Sequence, residues 1–214
     1  AGTAKAWVIT GGLDAGVMSL VGTALARWRH KCENVPVIGI ASWRAVTEKE
    51  RLENACGNKV QYWASKPNDK ETASLEPNHT GFLLVDNPTT KSNFGGELTM
   101  LHALLAELKL DYGAPTVLVV IQGGKGTLQT VMGALRSGIV CVLAADSGQC
   151  AGAIAHFVKT GEAMEGWQDQ RASFDELKQL NLAAATKDEL KGTFNDEWPL
   201  LNLFYLRGRD NISE

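Results

Sequence analysis

The chain is poor in the features that mark metal modules, secreted scaffolds and membrane spans. Its four cysteines, Cys32, Cys56, Cys141 and Cys150, are scattered, with no Cys-x-x-Cys pair and no Cys/His group at metal-ligand spacing. We read them as reduced, mostly buried thiols of a cytoplasmic protein, and expect neither a metal site nor a resident cofactor. No apolar run approaches the roughly 20 residues of a membrane helix, so direct membrane insertion of this segment is not expected. The opening stretch AGTAKAWVIT has no basic leader and no long apolar core, and is not read as a secretory signal. The glycosylation sequons at Asn78 and Asn211 are therefore taken as chance. Charge of one sign is also missing. There are 21 basic and 24 acidic residues, a net charge of −3, and no basic stripe. Nucleic acid is thus a poor partner, and any anion specificity must be local.

What the chain does have is a rhythm. Short Val/Ile/Leu-rich runs at 6–10, 35–41, 81–85, 116–122 and 138–145 alternate with helical patterns at 17–30, 97–110, 128–135 and 150–159. Such runs suit strands buried on both faces of a parallel sheet. The expected fold is α/β: a Rossmann-like, doubly wound, mostly parallel sheet with helices on both faces, plus a helical C-terminal extension. We assign residues 1–160 to the ligand-binding domain and 161–214 to the extension. Within that extension the apolar stretch at 198–206 is read as a last helix. The polar region 59–80 reads as a long excursion with one strand at 60–64. Capping boxes at Thr47, Ser173 and Thr186 mark further helix starts.

Two segments share one design: an apolar run, a Gly-Gly turn, then an amphipathic helix. The first turn holds Thr10, Gly11, Gly12, Gly16 and Val17, the second Gly123, Gly124, Lys125, Gly126 and Thr127. Glycine lets a backbone approach a ligand closely, and helix N-termini favour negative charge. Ligands of open α/β sheets lie at the carboxyl ends of strands, where Phe94, Gly95 and Glu97 and then Ser147, Gly148 and Gln149 also fall. Neither turn is a Walker P-loop or a Rossmann Gly-x-Gly-x-x-Gly fingerprint. Lys125 is read either as a phosphate partner or as a solvated side chain. Glu97 either complements a helix N-terminus or accepts from ribose hydroxyls. Phe94 either stacks on a base or packs. Glycine in βα turns also has a purely conformational use. His79 is read as structural. Spacing offers no catalytic Ser/His/Asp or Cys/His arrangement, and no catalytic residue is assigned.

At these same segments the sequence resembles a known family. WVITGG at 7–12, VIGIASW at 37–43, PNHTGFLLVD at 77–86, FGGE at 94–97, QGGKGT at 122–127 and DSG at 146–148 are similar, in order, to the N-terminal cytosolic homology region of melastatin-type transient receptor potential channels. That region belongs to the SLOG superfamily of Rossmann-like nucleotide-ligand domains. The resemblance covers about residues 5–158. It implies a sensor of nucleotide-derived ligands; some such channels bind ADP-ribose here and use it to gate a calcium-permeable pore. It also implies a cleft built from residues 10–17, 94–101, 123–127 and 147–149, and assembly as a homo-oligomer or against neighbouring channel subunits. This chain departs from the ADP-ribose-binding pattern at Phe94, where Tyr is typical, and at Leu101 and Gln149, where Arg is typical. Two bidentate phosphate partners are thereby missing. The ligand is then less anionic, or Lys125 and backbone amides compensate, or the domain is a ligand-free scaffold. The family pattern also has a βα unit before the strand at Trp7. An enzymatic branch of the superfamily, the phosphoribohydrolases, carries a catalytic Glu soon after a similar glycine loop. Here Gln129 follows, which argues against cleavage of a nucleotide N-glycosidic bond, with Glu97 as the remaining carboxylate candidate.

Overall fold

The computed structural model describes residues 6–28, 35–55, 57–64, 72–86, 94–185 and 200–204. Cys32, Cys56, the Thr186 capping box and the Asn211 sequon lie outside these. The chain packs as two compact units, Ala1–Leu101 and His102–Glu214.

The first unit holds a three-stranded sheet of β1 (Val8–Thr10), β2 (Val37–Ser42) and β3 (Gly81–Val85), in that spatial order. Both pairings are parallel, with Val8 opposite Val37 and Ile38 opposite Gly81. Parallel neighbours need crossovers. α1 (Gly16–Arg27) supplies the first, and α2 (Lys49–Glu53) lies in the second. A core of Leu13, Ala41, Ala45, Val46, Ala73 and Leu75 is flanked by Met18, Leu52, Tyr62 and Phe82. The expected strand at 60–64 does not form. Tyr62 is used differently: its hydroxyl donates to the Thr47 carbonyl at 2.8 Å and accepts from the Leu75 N–H at 3.2 Å. The Thr47 capping box is not made either. Glu48 takes the left-handed conformation at φ 52°, and the buried Thr47 hydroxyl has no hydrogen-bond partner among the described residues.

α3 (Gly96–Tyr112) carries the chain into the second unit. There β4 (Val117–Val120), β5 (Val140–Ala144) and β6 (Leu201–Phe204) form another parallel sheet in that order. α4 (Lys125–Arg136) buries Leu128, Val131, Met132 and Leu135, the i, i+3, i+4, i+7 stripe of an amphipathic helix. Each such side chain contributes about 1.5–3 kcal/mol of burial before entropy is counted. α5 (Gln149–Thr160) stops at Gly161, whose left-handed conformation lets its N–H bond the Phe157 carbonyl. α6 (Arg171–Ala185) starts two residues ahead of Ser173, so that capping box falls inside the helix.

The apolar C-terminal stretch is a correction. Leu201–Phe204 is a strand rather than helix, pairing Cys141 with Leu201 and Leu143 with Leu203. Leu201 and Leu203 alternate with Asn202 at strand period, and the free side of β5 offers a ladder of backbone partners. Burial on both sheet faces holds for the middle strands, β2 and β5. The first strand of the second sheet instead leaves Val117 57% and Val119 63% exposed. Among the described residues, no helix is long and apolar enough to cross a membrane.

Candidate functional site

The residues expected to hold a ligand fall in both units. In the first, the turn after β1 is tied down from below. The Gly12 N–H donates to Thr10 Oγ1 at 2.9 Å, and the Gly12 carbonyl accepts from the Glu76 N–H at 2.9 Å. The Asp14 N–H donates to the Ser74 carbonyl at 2.7 Å, beside an antiparallel bridge between Leu13 and Leu75. Gly12 has φ +70°, and a Cβ there would lie 2.7 Å from Gly39 Cα. Its glycine is thus required by the fold, whatever a ligand needs. Gly11 faces the Met18 side chain, whereas Gly16, at the start of α1, has open space above it. Val17 follows on α1 and is half-buried.

Beneath this turn lies a group that sequence reasoning did not assemble. Thr10 Oγ1 is 2.7 Å from His79 Nε2, and His79 Nδ1 is 2.7 Å from Glu76 Oε2. The imidazole is fully buried, and its ring is stacked 5.6 Å from that of Phe82. Asn78 donates its N–H to Glu76 Oε2 and its Nδ2 to Oε1. Burial works against ionisation of Glu76, but the hydrogen bonds from His79 and Asn78 outweigh it and hold the carboxyl below its ordinary range. A Glu three residues before a His, just ahead of an apolar strand, is the signal that points to the pair. At the start of α3, Glu97 Oε2 accepts the Gly95 N–H at 2.7 Å, so this carboxylate caps its own helix. Phe94 is 45% exposed. Asp86, at the end of β3, pairs with Arg44 at 3.0 Å.

In the second unit the structure brings the loops after β4 and β5 together. The Ser147 hydroxyl accepts the Gln122 N–H at 2.8 Å and donates to the Ala144 carbonyl at 2.7 Å. The Gly123 and Gln122 carbonyls accept the Cys150 and Ala151 N–H groups at 2.8 and 3.1 Å. First-turn amides of α5 are thereby satisfied by protein. Gln122, Gly123, Gly148 and Gln149 all have positive φ, which marks the pair of loops as tightly turned. Thr127 lies against Gly123. Above Gly124 and Gly126 there is open space, and Gly124 is extended, with no side-chain cap on α4. Lys125, the first residue of α4, is exposed and paired with Asp169, on a short helical turn (Gln168–Gln170) ahead of α6. Sequence reasoning missed Asp169, 44 residues away. The hydrogen bond from Lys125, with one from Gln170, holds the Asp169 carboxyl below its ordinary range. Among the described residues, no cluster of His, Cys, Asp and Glu is arranged to hold a metal ion.

An α/β domain with parallel strands ending in glycine turns at helix N-termini belongs to the Rossmann-like class. The family model described as SLOG in TRPM matches residues 1–188, and the chain belongs to this family. It is 34% identical to rat transient receptor potential cation channel subfamily M member 2 over 166 residues, 72% of this chain and 11% of that protein. A member-like 2 channel of Nematostella vectensis is 31% identical over 71% of this chain and 11% of its own length. Mouse subfamily M member 1 is 33% identical over 63% of this chain and 9% of its own length. The chain therefore spans about a tenth of the relatives it matches.

Proposed function

We propose that this domain is a cytosolic, regulatory ligand sensor of a TRPM-type, calcium-permeable cation channel, and that it binds an ADP-ribose-like nucleotide. Family membership supports the channel context and contact with neighbouring subunits. The observation that carries the ligand reading is the start of α4. Open space above Gly124 and Gly126 meets an uncapped helix N-terminus with Lys125 at its first position. A phosphate there gains backbone N–H donors, the helix dipole and a cation. Phe94 is the candidate base contact by sequence, and Glu97, with one carboxylate oxygen not used on Gly95, the candidate for ribose hydroxyls.

The test is a thermal-shift screen with ADP-ribose, NAD, AMP, ADP and cyclic nucleotides at fixed concentration, on the natural chain and on Gly124→Val. Gly124 is extended and has nothing within 4 Å of where a Cβ would sit, so the variant folds and its valine fills the phosphate space. Stabilisation by ADP-ribose is expected in the natural chain and lost in the variant. A folded variant that binds normally overturns the assignment. Incubation with NAD followed by chromatography separates sensing from hydrolysis. Turnover that disappears in Glu97→Gln establishes an enzyme instead. The exposed Val117 and Val119 favour a second reading, a ligand-free assembly scaffold. It predicts no shift with any nucleotide and concentration-dependent self-association.

A further inference from the structure

We infer that His79 is a positioning residue for the Gly11-Gly12 turn, acting through the hydroxyl of Thr10. Thr10 Oγ1 already accepts the Gly12 N–H at 2.9 Å, so its own proton points elsewhere. In the neutral ring His79 Nε2, at 2.7 Å, accepts it, because the Glu76 carboxylate can only accept and so takes the ring proton at Nδ1. The ring proton then sits on Nδ1 and is donated to Glu76 Oε2. Glu76 is fixed in turn by both Asn78 donors and by α1. A Cβ on Gly22 would fall 2.0 Å from the Glu76 carboxyl carbon, so the helix backbone lies directly on the carboxylate. One chain of hydrogen bonds thus links Gly12, β1 and the segment before β3, and the first helix packs against it.

The consequence is local and specific. The imidazole selects the rotamer of the Thr10 hydroxyl, and that oxygen turns the Gly12 amide inward. The Gly12 carbonyl is held from the other side by Glu76 N–H. Gly12 is therefore not a ligand donor. It is the pivot that presets how Gly11 and the start of α1 face outward. A preset turn binds without ordering itself first. The role in shaping the turn stands apart from the ligand reading above.

Four single variants of the whole chain separate acceptor chemistry from packing. Thr10→Ser keeps the hydroxyl, and Thr10→Val removes it at similar volume. His79→Gln places an oxygen near the Nε2 position. His79→Asn keeps a donor near Nδ1 but cannot reach Thr10. Nitrogen-15 NMR on the natural chain is expected to show the Nδ1–H tautomer of His79. Gly12 amide exchange should stay close to natural in Thr10→Ser and His79→Gln, and accelerate about tenfold in Thr10→Val and His79→Asn, the scale of one hydrogen bond. The two His79 variants lose similar ring packing, so a merely structural role gives both the same Gly12 exchange, following thermal stability. That result, or an Nε2–H tautomer, overturns the inference. If ADP-ribose binds none of the chains while Gly12 exchange follows the acceptor pattern, positioning stands and the ligand reading falls.

Discussion

Glutamine in place of Glu76 tests the buried network most directly. The carboxylate is 2% exposed and accepts three hydrogen bonds, one from His79 and two from Asn78. Glutamine retains one oxygen. Placed at the Oε2 position, it still faces the His79 and Asn78 N–H donors, and the Asn78 amide can flip to meet the new NH2. All three charge-assisted bonds become neutral ones, each weaker by about 1 kcal/mol. Relief from burying a charge offsets part of this, so the expected loss at pH 7 is about 1–2 kcal/mol. The pH dependence is the sharper readout. The folded-state pKa of Glu76 lies below the ordinary value of 4.5. The unfolded chain then binds more protons in that range, so the contribution is fully present above the unfolded value. It is lost as pH falls through the folded one. The stability gap between natural chain and Glu76→Gln should therefore be full at pH 7 and close progressively below about pH 4.5. Urea unfolding read from β2 amide signals, at constant m, measures it. No gap at pH 7, or a gap unchanged at pH 3, refutes the argument.

Gly12→Ala should destabilise by about 2–4 kcal/mol, from left-handed strain plus the contact with Gly39, measured by urea unfolding. Gly124→Ala, extended and open above, should stay within about 0.5 kcal/mol in the same assay. Cys141 and Cys150 are buried, and burial pushes both thiols up to about 12. Neither should react with a thiol reagent at pH 8 until urea unfolds the chain, as mass spectrometry of labelled peptides will report. Asp169→Asn should leave the melting temperature unchanged, because the pair with Lys125 is exposed. Calorimetry should show it raising ADP-ribose affinity, since Lys125 loses a competing carboxylate.

The order of elements was legible because β1 to β5 lie in Val/Ile/Leu runs, those of β1 and β4 closed by Gly-Gly turns, and α4 and α5 carry clean apolar stripes. β6 was not. Its LNLF is too short to separate periods of 2 and 3.6, and its identity comes from pairing with β5, far away in sequence. The stretch 59–80 was read as an excursion with one strand, but the bonds of Ser74 to Asp14 and of Glu76 to Gly12 were not legible, since they depend on where the fold returns the chain. His79 was read as structural, but its partner Thr10 is 69 residues away, beyond any spacing rule. The Lys125–Asp169 pair is hidden for the same reason.

The two glycine turns look alike in sequence and differ in what closes them. After β1, Gly12 is bonded at both its N–H and its carbonyl, packs on Gly39 and takes a left-handed φ. Every one of those contacts is made by protein, so this glycine would be needed in a domain that bound nothing. After β4 the fold uses Gly123 in the same manner, with Thr127 against it and its carbonyl bonded to Cys150. Gly124 is different. Its φ of −97° suits any residue, and no neighbour lies within 4 Å of where a Cβ would be. Neither backbone strain nor packing explains a glycine at that position. What a side chain there would obstruct is the approach to the first amides of α4. The resemblance between the turns is therefore weaker ground for a ligand than their difference. On the proposed reading, a phosphate is therefore better sought at the second turn, while the first is accounted for by its own unit.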